Sequence, residues 1–242
     1  YPAELIRSNP CTGLSIPRSA PKQVIKRTVI SPEQIAPLFE NSKYCPALKI
    51  LYHTGMRLSE VLGLSWDGID LKAGTISVIR QRVHDYFDTP KTPSSIRTFY
   101  ADAVLLAYLR ALKSGQAKDE MRLGEAYQLV YEDTKHGCAV VVLPKKLPPS
   151  DGLVRRPLVC LGSDGRPLHA GHIGAWLRRR KLNSHSFRHT HATRLIEAGA
   201  KPIDVAARLG HKDATITQNL YTHDTEAMQR ETARLFGEIV GK

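Results

Sequence analysis

A dense group of histidine, arginine and tyrosine residues lies near the C-terminal end of the chain, between His185 and His223. The apolar residues between them have helical spacing, which would place the polar side chains at helix ends and turns, where they can converge on one point. Histidine and arginine in such an arrangement can neutralise an anion and hydrogen-bond to it. We therefore expect this stretch to bind an anionic ligand.

The charge of the chain indicates nucleic acid as that ligand. The formal net charge is +12, from 35 Lys and Arg residues against 23 Asp and Glu residues. The segment 165–196 has no acidic residue, and its basic residues are Arg166, Arg178, Arg179, Arg180, Lys181, Arg188 and Arg194. A surface this basic attracts phosphates by Coulomb attraction and by counterion release. The alternative is a solvated basic face without a partner.

Length and composition indicate which class of protein the chain belongs to. With 242 residues and 42% hydrophobic residues, the chain suits a globular protein of one large domain, or of one domain with an appendage. The cysteines form no CxxC pair, so we expect reduced thiols in a cytosolic compartment. Apolar runs are far shorter than the ~20 residues of a membrane span, and no signal peptide is visible. Because the chain begins at Tyr1 rather than Met, we expect it to be a fragment.

Local signals predict the first helices. The residues Ser31–Gln34 have the sequence SPEQ, which suits a capping box with proline in the first turn. Apolar spacing predicts a buried helix over 44–53, and Gly55 suits a left-handed cap at its end. Arg57 begins a short amphipathic segment, and Glu60 follows three residues later, so the two side chains share a face and could pair.

Strands are predicted over Thr75–Arg82 and Ser95–Tyr100, with a hairpin loop over His84–Ser94 between them. Lys91 lies in this loop. A lysine at a loop tip reaches outward, and its ordinary role is only to increase solubility.

The remainder of the chain is predicted to be mainly helical. Further helices are expected over 102–113, 171–180, 186–198, 202–209 and 226–240. We interpret residues 114–157 as a variable insert, and residues 1–24 as an extended, basic, proline-rich linker. These patterns predict an α+β fold, a mainly α-helical domain with one small antiparallel β-sheet.

Three kinds of chemistry can be considered for the histidine-rich stretch. His185 and His189 have the i, i+4 spacing of zinc ligands, but no HExxH motif and no nearby cysteine accompany them. Serine nucleophile chemistry would need a GxSxG elbow, which is absent there. A helix-turn-helix over Ser186–Leu209 is credible and would use its polar residues as phosphate or base contacts.

The motifs themselves resemble a known family. The letters HSFRHTHAT at 185–193 resemble the HxxRHTxAT signature of the tyrosine recombinases of the phage-integrase type. LGH at 209–211, YTH at 221–223 and TGMRLSE at 54–60 are similar to further motifs of that family. Lys91 falls where family members place an active-site lysine in a β-hairpin, ahead of Arg97 and Thr98. The resemblance covers about residues 31–240, with its motifs in the family's order.

The resemblance implies the catalytic residues Arg57, Lys91, His185, Arg188, His211 and Tyr221. Tyr221 would attack the scissile phosphate of DNA and form a 3′-phosphotyrosine, with His185 assisting removal of its proton. Lys91 would protonate the leaving 5′ oxygen. No metal and no cofactor is implied.

The remaining implied residues stabilise charge. Arg57 and Arg188 would clamp the non-bridging oxygens, because a guanidinium matches phosphate bidentately and stays charged. His211 would donate a further hydrogen bond to the same phosphate. Glu60 is expected to be structural and to hold the arginine, and His189 to orient its neighbours or pack.

The resemblance also implies partners and domains. The partner would be double-stranded DNA, bound by a homo-oligomer that is a tetramer in the synaptic complex, with a possible accessory DNA-bending protein. Residues 1–24 would join a missing core-binding domain to a catalytic domain over 25–242, whose segment 224–242 would be an exchange helix. We expect a cytoplasmic, nucleoid-acting integrase of a mobile element. The alternatives are a non-catalytic helix-turn-helix regulator and a type IB topoisomerase.

Overall fold

The computed structural model describes residues 29–40, 42–89 and 95–210, together with Gly13. Within these ranges the helices are α1 (Pro32–Phe39), α2 (Cys45–Thr54), α3 (Leu58–Gly63), α4 (Ala103–Leu123), α5 (Ala170–Arg178), α6 (Ser184–Glu197) and α7 (Pro202–Leu209). The strands are β1 (Ile69–Asp70), β2 (Thr75–Val78), β3 (Gln81–Val83), β4 (Tyr86–Asp88), β5 (Arg97–Tyr100), β6 (Gln128–Asp133), β7 (Ala139–Pro144) and β8 (Leu153–Arg155). The α+β fold predicted from the sequence is confirmed.

Helix α2 lies at the centre of the main core. Its Leu48, Ile50 and Leu51 are fully buried, and α6 packs on it through Phe187. Burying side chains of this size supplies about 1.5–3 kcal/mol each. This contact brings two sequence motifs together, because α6 carries HSFR at 185–188 and the end of α2 leads into Arg57.

The expected helix boundaries at the start of the domain are confirmed. The Ser31 amide donates to Gln34 Oε1 at 3.0 Å, as a capping box requires. Gly55 ends α2 in the left-handed region, with φ 64°. Asp102 caps α4 by accepting a hydrogen bond from the Leu105 amide at 2.9 Å.

The prediction of one small sheet is wrong, because the described residues form two antiparallel sheets. One has the strand order β1-β2-β5 and the other β3-β4-β7-β6-β8. The predicted loop over 84–94 already contains β4, which pairs with β3 across the turn at His84 and Asp85. Phe87 of β4 is buried against Val130 and Leu158, so long-range packing stabilises this extra hairpin.

Helix α4 is longer than the predicted 102–113. It continues to Leu123 and ends at Gly124, which has φ 53°. Gln116 anchors the extension, because its Oε1 accepts from Trp66 Nε1 at 2.8 Å and its Nε2 donates to Val159 O at 2.8 Å. These partners are distant in sequence and could not be seen in local spacing.

Several predictions fall outside the described residues. They concern the linker over 1–24, the lysine of the loop, the segment after Gly210 and the terminal helix. The domain boundaries therefore stay predictions.

Candidate active site

Arg57 is positioned by the turn between α2 and α3. It occupies the N-cap position of α3, and its amide donates to Glu60 Oε2 at 2.9 Å. Its Nη1 donates to Glu60 Oε1 at 2.7 Å and to Ser95 Oγ at 3.4 Å. The predicted pairing with Glu60 is therefore confirmed, and the Arg57 side chain remains 37% exposed.

Glu60 has the structural role expected for it. Its side chain is only 1% exposed. Burial opposes ionisation of this carboxyl group, but hydrogen bonds from Arg97 and Arg57 outweigh burial, so the pKa of Glu60 lies below its usual value. An ionised, buried Glu60 holds two guanidinium groups in fixed orientations.

Arg97 is the second of these, and the sequence assigned it no role. Its Nη2 donates to Glu60 Oε2 at 3.0 Å and its Nη1 to Glu60 Oε1 at 3.3 Å, a bidentate pair. Its side chain is 7% exposed. The signal that could have identified it is an arginine in a strand next to the predicted lysine loop.

Arg188 projects from α6 and is 8% exposed. Its Nη1 donates to Gly55 O at 2.9 Å and its Nη2 to Leu209 O at 2.9 Å. Burial, together with the nearby charges of Arg57 and Arg97, lowers the pKa of Arg188 to about 9. The residue therefore lies between the end of α2 and the end of α7, in surroundings that already carry excess positive charge.

The cluster of Arg57, Glu60, Arg97 and Arg188 contains three cations and one anion. A bound anion would lower the electrostatic cost of this arrangement and favour the charged form of Arg188. The predicted anion-binding character of the site thus has a physical basis in the described residues.

His185 lies in the first turn of α6 and is exposed. It precedes Arg188 by three residues, so the two side chains share a face of the helix.

His191 has a different role from the other histidines. Its Nδ1 lies 3.0 Å from Tyr52 O, and its Nε2 accepts from Arg208 Nε at 3.2 Å. Burial and, after it, repulsion by the positive charge of Arg208 lower the pKa of His191 to about 4. The ring is therefore neutral at physiological pH, with the proton on Nδ1, and it connects α2 to α7.

The predicted Lys91, His211 and Tyr221 lie outside the described residues. The described part of the chain brings Arg57 and Arg188 together and ends next to the predicted His211, at Gly210, which has a left-handed backbone with φ 69°. Among the residues that the structure describes, no group of three His, Cys, Asp or Glu side chains could hold a metal ion, and no helix could cross a membrane.

Comparison with protein families identifies this arrangement. The phage integrase family model matches residues 28–119 and 169–228, more than half of the chain. The chain belongs to the phage integrase family. The segment 120–168, which contains β6, β7 and β8, lies between the two matched ranges, and the interpretation of 114–157 as a variable insert stays a prediction.

Curated relatives of this integrase-family chain include recombinases and integrases. It is 29% identical over 238 residues to a XerC-like tyrosine recombinase of Caldanaerobacter subterraneus, covering 90% of this chain and 56% of that protein. It is 29% identical over 231 residues to the prophage integrase IntR of Escherichia coli, covering 91% of this chain and 53% of that protein. The chain thus spans about half the length of the curated relatives it matches.

Solved structures confirm the integrase fold. The Tn1549 transposon integrase in complex with transposon right end DNA superimposes with a TM-score of 0.65 at 22% identity, covering 98% of this chain and 73% of that one. A XerA recombinase crystal structure gives a TM-score of 0.55 at 17% identity, covering 91% of this chain and 66% of that one.

Proposed function

We propose that the full-length protein is a site-specific DNA recombinase of the integrase type, which cleaves and rejoins DNA through a 3′-phosphotyrosine intermediate. The observation that carries this proposal is the cluster of Arg57, Arg97 and Arg188 around the single carboxylate of Glu60. It is built on the matched family segments and has the charge and geometry to receive a phosphodiester.

The chemistry divides between phosphate binding and proton transfer. Arg57 and Arg188 contact the non-bridging oxygens and stabilise the charge of the pentacovalent transition state. Tyr221 attacks the phosphorus while His185 accepts its proton, and Lys91 protonates the 5′ oxygen as it leaves. His211 donates to the same phosphate. The phosphotyrosine retains the energy of the broken bond, so a second DNA end can reverse the reaction.

The biological setting proposed is integration and excision of a mobile element. The names of the relatives, which include a prophage integrase and the ICEBs1 integrase beside XerC recombinases, support a mobile element. We propose double-stranded DNA as the partner, a tetramer in the synaptic complex, a possible accessory DNA-bending protein and a cytoplasmic location. Family membership is the support for each of these.

The test is covalent capture of DNA by the full-length protein. DNA retained after denaturation is sequenced to define the site, and a nicked duplex of that site is then used to trap the intermediate. Tyr221→Phe should abolish the adduct and leave DNA binding intact. The matched control is Tyr100→Phe, which removes the hydroxyl of a tyrosine that is 73% exposed and should cleave normally.

Each other outcome has a definite meaning. An adduct that persists in Tyr221→Phe would exclude this residue as the nucleophile. Binding without any adduct in the wild type would indicate a helix-turn-helix regulator. Relaxation of a supercoiled plasmid that lacks the captured site would indicate a type IB topoisomerase.

A further inference from the structure

Arg97 makes more contacts than pairing with Glu60 requires. Besides its two bonds to the carboxylate, its Nη1 donates to Ser95 O at 2.9 Å and its Nε donates to Arg208 O at 2.7 Å. The guanidinium therefore joins three parts of the chain: α3, the start of β5 and the end of α7.

The contact to Arg208 O is important because helices end with carbonyl groups that have no partner within the helix. Arg97 donates a hydrogen bond to the carbonyl of Arg208, and Arg188 donates one to the next carbonyl, that of Leu209. Positive charge at a helix C-terminus is also favourable to the helix dipole. Two arginines thus fix the last turn of α7, immediately before Gly210 and the predicted His211.

Further contacts join β5 to α7. The guanidinium carbon of Arg208 lies 4.8 Å from the centre of the Phe99 ring, and that of Arg97 lies 5.8 Å from it. Arg208 Nη1 donates to Tyr100 O at 2.9 Å. The position of α7 is therefore set by β5, and Arg97 is the residue that extends this contact to Glu60 and Arg57.

We propose that Arg97 is a positioning residue, whose guanidinium fixes Arg57, through Glu60, relative to the end of α7 and to Arg188, which binds the same end. This inference rests on the proposed function, since it assigns Arg57 and Arg188 to one phosphate. Arg97 need not touch DNA in this role, because four of its five N–H donors bind Glu60, Ser95 and Arg208.

Only a guanidinium can make these contacts together. A lysine keeps the positive charge, but its single ammonium cannot reproduce the planar fork that binds both oxygens of Glu60 while reaching Arg208 O. Arg97→Lys therefore removes the forked geometry of these hydrogen bonds while it keeps the positive charge at this position. A matched control is Arg156→Lys, because Arg156 Nε similarly donates to a buried glutamate, Glu132, at 2.6 Å, but lies in the strand region outside the family match.

The experiment measures single-turnover adduct formation by the full-length protein on the nicked duplex of the captured site, at saturating DNA. Arg97→Lys should reduce the rate constant by about 100-fold, the loss expected when catalytic groups are displaced by about 1 Å. The DNA dissociation constant should be unchanged, since no DNA contact is lost. Arg156→Lys should cleave at the wild-type rate.

A double-mutant cycle with Arg57→Lys separates positioning from a general folding defect. If Arg97 acts through Arg57, the double variant should be slowed by much less than the product of the two single effects. A folding defect would instead multiply with the loss at Arg57, so the cycle is informative even if Arg97→Lys is less stable. Wild-type rates in Arg97→Lys, or multiplicative effects in the cycle, would overturn the inference. Absence of any adduct in the wild type would count against the proposed function.

Discussion

Acidification should destabilise this domain through one histidine, His191. Its Nδ1–H faces Tyr52 O and its Nε2 accepts from Arg208, so the folded structure needs the neutral ring. Protonation would place a proton on Nε2, remove this acceptor and set a cation against the Arg208 guanidinium. The neighbouring charges of His53 and Arg188 act in the same direction.

The size and sign of the effect follow from the pKa values. His191 has a pKa of about 4 when folded and of 6.5 in the unfolded chain, a difference that corresponds to at most about 3 kcal/mol. Between these two values the unfolded chain binds more protons than the folded one. The free energy of unfolding should therefore fall as the pH drops from 6.5 towards 4, and the loss from this group should then level off.

Urea unfolding of wild type and His191→Asn over this pH range provides the assay. Asparagine can place an amide donor near the position of Nδ1, but it does not titrate. Subtracting the two stabilities cancels the contributions of other groups that titrate in the same pH range. The wild type should lose up to about 3 kcal/mol relative to the variant between neutral pH and the lower pKa.

An NMR titration of the His191 ring gives an independent measurement of the same quantity. A folded-state pKa near 6.5, or a stability difference that does not change with pH, would refute the assignment of His191 as a buried, neutral link between α2 and α7.

Two further substitutions test the packing that positions the site. Gly55→Ala should lower the free energy of unfolding by about 1–3 kcal/mol in urea titrations, because the new Cβ would lie 2.6 Å from Leu209 Cδ2 at a residue with φ 64°. Gly115→Ala is its control. Apart from the backbone of α4 itself, no atom lies within 4 Å of the new Cβ, so this variant should be about 0.5–1 kcal/mol more stable than the wild type. An equal loss of stability in both variants would contradict the explanation by steric overlap. Phe187→Ala should cost about 3–5 kcal/mol by calorimetry, since the ring is fully buried between α6 and α2. A loss below 1 kcal/mol would mean that this contact does not hold α6 in place.

Local chemistry explains why much of the fold could be predicted. The caps at Ser31 and Asp102 and the left-handed end of α2 at Gly55 depend on neighbours within a few residues. They can therefore be predicted from the local sequence. The pairing of Arg57 with Glu60 is also local, because residues three apart share a helix face. The order of the motifs, which is a property of the sequence alone, indicated the family that the comparison then showed.

Tertiary structure decided the rest, because the deciding contacts join residues far apart in the chain. Arg97 reaches Arg208 across 111 positions, and Arg188 reaches Gly55 across 133. The same holds for the second sheet, where β7 pairs with β4, and for the extension of α4 held by Gln116. The sequence thus predicted which groups could act on a phosphate. The fold determined that Arg57 and Arg188 lie in one site, that Arg97 connects Glu60 to the end of α7, and that His191 stays neutral. The physical reason is that burial and neighbouring charge exist only once the chain is packed.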